Sequence, residues 1–239
     1  MVEGTIRDSI WGNWHEKSHN CENCPAHDFD YTPAFAGGDI DSDVMVVLSD
    51  PNDDREEGKT KPSKPKPEYE SWSYGYSADN GWNSMGYLNP IANNIDGLTD
   101  ADDLYFTNAL KCPTYSDEGF NDPDSRDEDA LKQCKPYLGE EIEAVQPEVV
   151  VALSKEAIKA IADLSITEFT GENGPKGYVE EWITQNKRYY GSDPAVVAGV
   201  HPASSFLHLN LKKEWYGDEK HTEWYYNELG KSVNTALST

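Results

Sequence analysis

The sequence contains no long apolar run. None of its hydrophobic stretches approaches the roughly 20 residues needed to span a bilayer. The N-terminal segment MVEGTIRDSIW also lacks the basic and apolar sections of a signal peptide. We therefore expect a protein without a membrane span that stays in the cytoplasm.

Basic residues are also scarce. Lys and Arg number 20 against 44 Asp and Glu, which gives a formal charge of -24. Charge of one sign spread along a whole chain repels itself and is tolerated where salt screens it, whereas acidic proteins with basic partners usually gather their charge into blocks. The pattern favours a salt-adapted (halophilic) protein, and any contact with nucleic acid must depend on local basic spots and on non-ionic contacts.

The chain has only four cysteines, Cys21, Cys24, Cys112 and Cys134. In a reducing compartment they are expected to be ligands or buried thiols rather than disulfides. A C-x-x-C pair places two thiolates on one metal centre, and two distant cysteines can complete a set of four. The spacing leaves four alternatives open: an iron-sulfur cluster, a structural zinc, a redox pair and unligated thiols.

Short apolar runs predict the core of an α/β fold. Four runs read as strands covered on both faces, at Val44 to Leu48, Leu104 to Thr107, Val149 to Leu153 and Ala195 to Val200. Three helices are predicted with them: one carrying Leu131, Cys134, Leu138, Ile142 and Val145, one from Lys155 to Leu164, and one near Glu219 to Ala236. We therefore predict a three-layer α/β/α sandwich around a four-stranded, mainly parallel sheet, whose ligands bind beyond the carboxyl ends of the strands.

Residues 53–89 are predicted to form an insertion within a single domain spanning residues 1–239. Its first half interleaves Lys59, Lys61, Lys64 and Lys66 with prolines, which favours an extended chain. Its second half is rich in aromatic residues. A solvated insertion is the commonest fate of such a segment.

Five segments, in order, resemble the iron-sulfur uracil-DNA glycosylases of families four and five: C-E-N-C, VMVVLSDPN, YFTNALKC, ALKQCKPYLGEEIEAVQPEVVVAL and GVHPASSF. The similarity runs from Cys21 to Phe206 and is most specific between Tyr105 and Leu153. It implies a uracil-DNA glycosylase-like fold, a structural 4Fe-4S cluster on the four cysteines with zinc as the less favoured alternative, and DNA containing uracil as the partner. We expect a monomer.

The resemblance also implies catalytic roles for two residues. Asn108 matches the asparagine that reads the base, and a side-chain amide suits this task because it donates and accepts hydrogen bonds together. His201 matches the histidine that hydrogen-bonds the uracil oxygen where negative charge develops. The alternative for His201 is a histidine at a strand end, where Pro202 merely ends the strand.

The first motif departs from the family pattern. Where the family carries G-E-A-P-G, this chain has Leu48 followed by Ser49, Asp50, Pro51 and Asn52. Ser49 occupies the carboxylate position, and Asp50 is the candidate carboxylate one residue later. Ser49, Pro51 and Asn52 are candidate substrate-binding residues. A shift of one residue can turn a side chain away from the reacting atoms, which supports the alternative of a catalytically weak or inactive relative.

Further candidates surround the base. Ser84 occupies the position of the family's stacking phenylalanine, and Trp82 or Tyr87 can supply an aromatic face instead, although packing is the commoner role. Phe206 and Leu207 are candidate wedges for the space that a flipped base leaves, unless they only begin the closing helix. Two lysines nearby, Lys212 and Lys213, are suited to phosphates.

These features support three hypotheses. The leading one is a DNA glycosylase that hydrolyses the N-glycosidic bond of uracil in base excision repair. The second is a catalytically weak or inactive iron-sulfur relative that binds nucleic acid or a protein. The third is an unrelated electron carrier, which would have little use for Asn108 and His201.

Overall fold

A five-stranded sheet forms the centre of the molecule, seen in a computed structural model that describes residues 36–49, 85–111, 123–162, 179–180, 186, 188–200 and 221–239. The strands are β1 (Gly37–Gly38), β2 (Val44–Leu48), β3 (Tyr105–Asn108), β4 (Val149–Ala152) and β5 (Ala195–Ala198). The order across the sheet is β1-β3-β2-β4-β5. Strands β3, β2, β4 and β5 are mutually parallel, and β1 pairs antiparallel with β3.

Helices cover both faces of this sheet. Within the described ranges they are α1 (Met85–Ala92), α2 (Pro123–Val145), α3 (Lys155–Ala162) and α4 (His221–Leu237). Alternate residues of β2 divide between two buried clusters, Val44, Val46 and Leu48 packing with α1 and α4, and Met45 and Val47 packing with α2 and α3. This division follows the period of two in a strand and makes the three-layer α/β/α sandwich.

All four predicted strands are confirmed, with boundaries within two residues of those expected. Their side chains are buried almost throughout because helices cover both faces, which is why each strand reads as a continuous apolar run. Helix α2 continues through Pro136 and ends where Gln146 adopts a φ of 52° and donates its N–H to the carbonyl of Ile142 at 2.9 Å.

The sheet contains one strand more than predicted. The additional strand β1 is two glycines long, and Gly38 has a φ of 85°, a conformation that favours glycine. A Cβ built on Gly37 would meet the Phe106 ring at 2.5 Å, so a side chain at this position would collide with the neighbouring strand. The pairing depends on close approach and leaves no apolar pattern.

The end of the predicted insertion belongs to the core. Helix α1 begins at Met85, and Leu88, Ile91 and Ala92 are buried against the sheet. Residues 53–84 lie outside the described part of the chain. Among the helices described, none is long and apolar enough to cross a membrane.

Candidate functional site

The carboxyl ends of the parallel strands meet along one edge of the sheet. Leu48 pairs with Asn108 in the register of β2 and β3, and Ala152 pairs with Ala198 in that of β4 and β5. The backbone continues the pairing a little further, where Gly199 N–H donates to the carbonyl of Ala152 at 2.8 Å. This edge is where open parallel sheets bind their ligands.

Asn108 is the last residue of β3 at this edge, and its side chain is fully buried. By strand alternation it lies on the same face as Phe106, the face covered by α1 and α4. Neither Oδ1 nor Nδ2 has a hydrogen-bond partner in the described structure. A buried amide without partners costs free energy, and such a group in a native fold calls for an explanation. The amide is therefore free to donate and accept toward a ligand.

Thr107, the residue before Asn108, lies on the opposite face and is fully paired. Its Oγ1 lies 3.0 and 3.1 Å from the two carboxylate oxygens of Glu141 on α2, and Lys111 Nζ donates to it at 2.7 Å. Lys111 Nζ also contacts Glu141 Oε2 at 2.6 Å, and both side chains are completely buried.

Burial raises the pKa of Glu141, while Lys111 and the hydrogen bonds of Thr107 and Tyr105 oppose that shift. The charge of Lys111 and the hydrogen bonds of Lys111, Thr107 and Tyr105 offset only part of the desolvation of the carboxylate. This network fastens α2 to the end of β3, where Asn108 lies.

Ser49 follows β2 and turns toward α3. Its Oγ donates to Glu156 Oε2 at 3.0 Å, across 107 positions of sequence. Glu156 is in the first turn of α3, whose start is capped by Ser154, since the Ala157 N–H donates to Ser154 Oγ at 2.9 Å. A carboxylate from α3 thus contacts the position where the first motif has lost its own.

Cys134 lies on α2, close to the chain that leads into Cys112. Its side chain is buried, and Lys111 N–H donates to its Sγ at 3.4 Å. The backbone next to one predicted ligand is therefore in contact with the sulfur of another. The described residues hold no group of three His, Cys, Asp or Glu side chains that could bind a metal, and the other three cysteines lie outside them.

The far end of the edge is fixed by a tyrosine. Val200 N–H donates to the hydroxyl of Tyr225 on α4 at 2.8 Å, and the same hydroxyl donates to the carbonyl of Val200 at 2.6 Å. Both residues are buried. Val200 directly precedes His201.

The comparisons with known proteins place this geometry in a family. The sequence-family model of the uracil DNA glycosylase superfamily matches residues 35–221, which is well over half of the chain. The chain belongs to the uracil-DNA glycosylase superfamily. The matched segment includes every described strand and ends at the first residue of α4.

Within the superfamily, the chain is similar to curated type-4 uracil-DNA glycosylases. The type-4 uracil-DNA glycosylase of Archaeoglobus fulgidus is 32% identical over 121 residues, which are 50% of this chain and 54% of that protein. The type-4 uracil-DNA glycosylase of Sulfurisphaera tokodaii is 27% identical over 128 residues, 53% of this chain and 52% of that protein. The chain spans about half the length of the curated relatives it matches.

Most of the site residues predicted from the sequence lie outside the described residues. They are Cys21, Cys24, Asp50, Pro51, Asn52, Trp82, Cys112, His201, Phe206 and Leu207. Tyr87 belongs to α1, but its side chain is also outside them. Of the predicted residues described, Asn108 is the last residue of β3 and Ser49 directly follows the neighbouring β2. Asn108 lies on the α1 and α4 face, and Ser49 turns toward α3.

Four residues of the edge were not singled out from the sequence: Lys111, Glu141, Glu156 and Tyr225. Glu141 had a usable signal, because it follows Leu138 by three positions and precedes Val145 by four, within the apolar stripe of α2. A buried acid is normally paired with a cation, and Lys111, in the segment YFTNALKC, was a candidate for that cation. Tyr225 offered no local signal, since its contact with Val200 spans 25 positions.

Proposed function

We propose that the protein is a DNA glycosylase that excises uracil from DNA in base excision repair. The observation that carries the proposal is the amide of Asn108, fully buried at the ligand edge of the sheet without a partner in the described structure. Membership of the superfamily and the names of the curated relatives support the same reaction. Uracil presents donors and acceptors along one edge, and a side-chain amide matches such an edge.

The reaction breaks the bond between C1′ of the sugar and N1 of uracil. The bonding electrons leave with the base, so uracil becomes anionic while the sugar becomes cationic. Water then adds to C1′ and gives up a proton, which neutralises the uracil anion. In the proposal Asn108 reads the flipped base and His201 donates a hydrogen bond to the uracil oxygen that gains charge. Donors already in place at that oxygen lower the barrier because they need no reorganisation.

Asp50 is the proposed carboxylate of the site. Ser49, in the family's carboxylate position, hydrogen-bonds Glu156 on the α3 side, opposite to the face that Asn108 occupies. Ser49 is therefore a poor candidate for contact with the base. A carboxylate at Asp50 would stabilise the cationic sugar or orient the water, with Pro51 and Asn52 lining the same motif.

We further propose that DNA is held by wedging and stacking more than by charge. Phe206 and Leu207 would fill the space left by the flipped base, and Trp82 or Tyr87 would stack on it. With a formal charge of -24, binding that relied on phosphate contacts would be weak in strong salt. A monomer adapted to a salt-rich cytoplasm fits this composition.

The four cysteines are the proposed ligands of a 4Fe-4S cluster. The N–H···S contact from Lys111 to Cys134 supports this set, because it brings the chain beside Cys112 against the Cys134 sulfur. The cluster would tie the N-terminal C-x-x-C pair to β3 and α2. An iron-sulfur cluster absorbs visible light, whereas zinc, the alternative, does not, so the absorption spectrum of the purified protein distinguishes them. If the cluster is present, replacing Cys134 by serine should weaken its visible absorption.

The decisive experiment is uracil excision by the iron-loaded full chain in molar KCl, using a labelled DNA with one uracil and alkali to reveal abasic sites. Asn108→Ala and His201→Ala should each lower the rate by about a hundredfold or more. Asn234→Ala is a matched control, because among the described residues this α4 side-chain amide hydrogen-bonds the chain just after α1, at Asp96 N–H (2.9 Å) and the Asn94 carbonyl. Unchanged rates in Asn108→Ala would contradict the assigned role.

The second candidate is an inactive relative that binds nucleic acid or a protein. The Ser49 to Glu156 hydrogen bond favours it, because the first motif has a serine at its carboxylate position and that serine is already paired. Tight binding of the uracil DNA without cleavage, in the same assay, would establish this alternative. Cleavage by the wild-type chain would exclude it.

A further inference from the structure

The backbone just after β5 is held by hydrogen bonds to a side chain rather than by strand pairing. The ladder with β4 ends where Gly199 N–H donates to the Ala152 carbonyl at 2.8 Å. Val200 is the next residue and is only 3% exposed. Its N–H donates to the hydroxyl of Tyr225 at 2.8 Å, and its carbonyl accepts from the same hydroxyl at 2.6 Å. One side chain thus satisfies both backbone groups of one buried residue.

Two simultaneous hydrogen bonds fix this peptide in position and direction. A hydroxyl can accept one bond and donate another, and Tyr225 uses both capacities on the same residue. The ring is fully buried among the residues of α1, α4 and the sheet, so the hydroxyl cannot swing away. Burial also raises the pKa of Tyr225, which keeps the proton that the Val200 carbonyl needs.

The support comes from outside the matched family segment. That segment ends at residue 221, whereas Tyr225 lies one helical turn further along α4. The residue that follows Val200 is His201, the proposed donor to the uracil oxygen. Val200 is thus held at two points directly before the proposed catalytic histidine in the sequence.

We propose that Tyr225 is a positioning residue for His201: through both backbone groups of Val200, it sets the place from which the imidazole meets the base. This inference rests on the proposed glycosylase function. An error of about 1 Å in the placement of a catalytic group can cost a factor of about a hundred in rate. A phenylalanine would keep the ring and lose the two bonds.

The test compares Tyr225→Phe with wild type in single-turnover uracil excision, with the iron-loaded full chain in excess over DNA. The rate constant should fall about tenfold to a hundredfold while the amplitude and the affinity for uracil DNA stay unchanged. Tyr189→Phe is the matched control, since it removes a tyrosine hydroxyl that donates to Thr239 at 2.9 Å on the exposed side of the same region. Its rate constant should equal that of wild type.

A purely structural role gives another result. If Tyr225→Phe merely unfolds part of the sample, more protein is needed to saturate the DNA while the rate constant at saturation equals that of wild type, and the proposal is overturned. A second readout uses 15N-histidine protein, in which the His201 ring signals are assigned by His201→Ala among the six histidines. They should shift in Tyr225→Phe and not in Tyr189→Phe, and unmoved signals would refute the positioning role. If wild type does not excise uracil, the glycosylase proposal fails while these spectra still decide the role of Tyr225.

Discussion

Thr107 and Asn108 are neighbours in β3, both are completely buried, and the structure treats them in opposite ways. Thr107, on the α2 face, contacts a lysine and a glutamate. Asn108, on the α1 and α4 face, has no hydrogen-bond partner in the described structure. Buried polar groups are normally paired. The contrast separates a polar group paired within the fold from an unpaired one that, in the proposed function, reads the base.

The Lys111 to Glu141 pair should give the largest effect on stability. Lys111→Met leaves Glu141 as an uncompensated buried acid, so the free energy of unfolding should fall by about 3–5 kcal/mol. Denaturant titration in molar KCl measures this loss. The double variant Lys111→Met with Glu141→Leu should regain most of it, because neither charge then remains buried. A double variant as unstable as the single one would show that the pair is not the cause.

The Asn108→Leu variant should separate activity from stability. It replaces an unpaired buried amide by an apolar group of similar size, so the free energy of unfolding should stay within about 1 kcal/mol of wild type or increase. Uracil excision should fall by about a hundredfold or more. Denaturant titration and the excision assay on the same preparations test both halves. A loss of several kcal/mol would mean that the amide has a structural partner.

Thr107→Val is the counterpart of that variant on the adjacent residue. The change is nearly isosteric but removes the hydroxyl that contacts Lys111 and Glu141, so we expect a loss of about 1–3 kcal/mol in the free energy of unfolding. The chemical step of excision in the folded fraction should be nearly unchanged, since the hydroxyl faces away from Asn108. Equal effects of Thr107→Val and Asn108→Leu on stability would remove the distinction between the two faces.

The sequence predicted the elements that depend on burial along the chain. Strand β2 was predicted at its observed bounds because all five of its residues are apolar and buried. Strand β1 was missed, since two glycines pair with β3 through close approach and carry no hydrophobic pattern. The first five residues of helix α1, 85–89, were placed in the predicted insertion; the helix is only eight residues long and contains Pro90, so it has no long periodic pattern.

The site divides in the same way. Asn108 was singled out through its motif; the structure places its buried side chain at the end of β3, and its role in reading the base stays a prediction. The ties that hold the edge could not be found locally: Ser49 meets Glu156 across 107 positions, and Tyr225 meets Val200 across 25. A hydrogen bond between distant segments leaves no period in the sequence, so only the folded chain reveals it.

The smallest expected effect on stability concerns Glu228, a second polar residue on the α1 and α4 side of the sheet. We expect its carboxylate, unlike the amide of Asn108, to be paired. This acid lies on α4, is 8% exposed, and contacts both Arg188 and Lys231. Burial alone would raise the pKa of Glu228, but the hydrogen bonds and charges of Lys231 and Arg188 outweigh it and lower the pKa below the ordinary 4.5. A lowered pKa means that the carboxylate stabilises the fold above that value and that the stabilisation is lost as the pH falls through the folded-state pKa.

Glu228→Gln should therefore cost about 1 kcal/mol or less at neutral pH, because both cationic partners, Arg188 and Lys231, are partly exposed to solvent, and the cost should shrink in acid. Denaturant titrations of both proteins at neutral pH and at about pH 3 measure the difference. Lys231→Gln is a control for the exposed partner and should have the smaller effect, since the lysine side chain is 64% exposed. A difference that grows toward acid would contradict the paired carboxylate. A difference that shrinks would show that Glu228, on the same side of the sheet as the unpaired amide of Asn108, is a paired carboxylate.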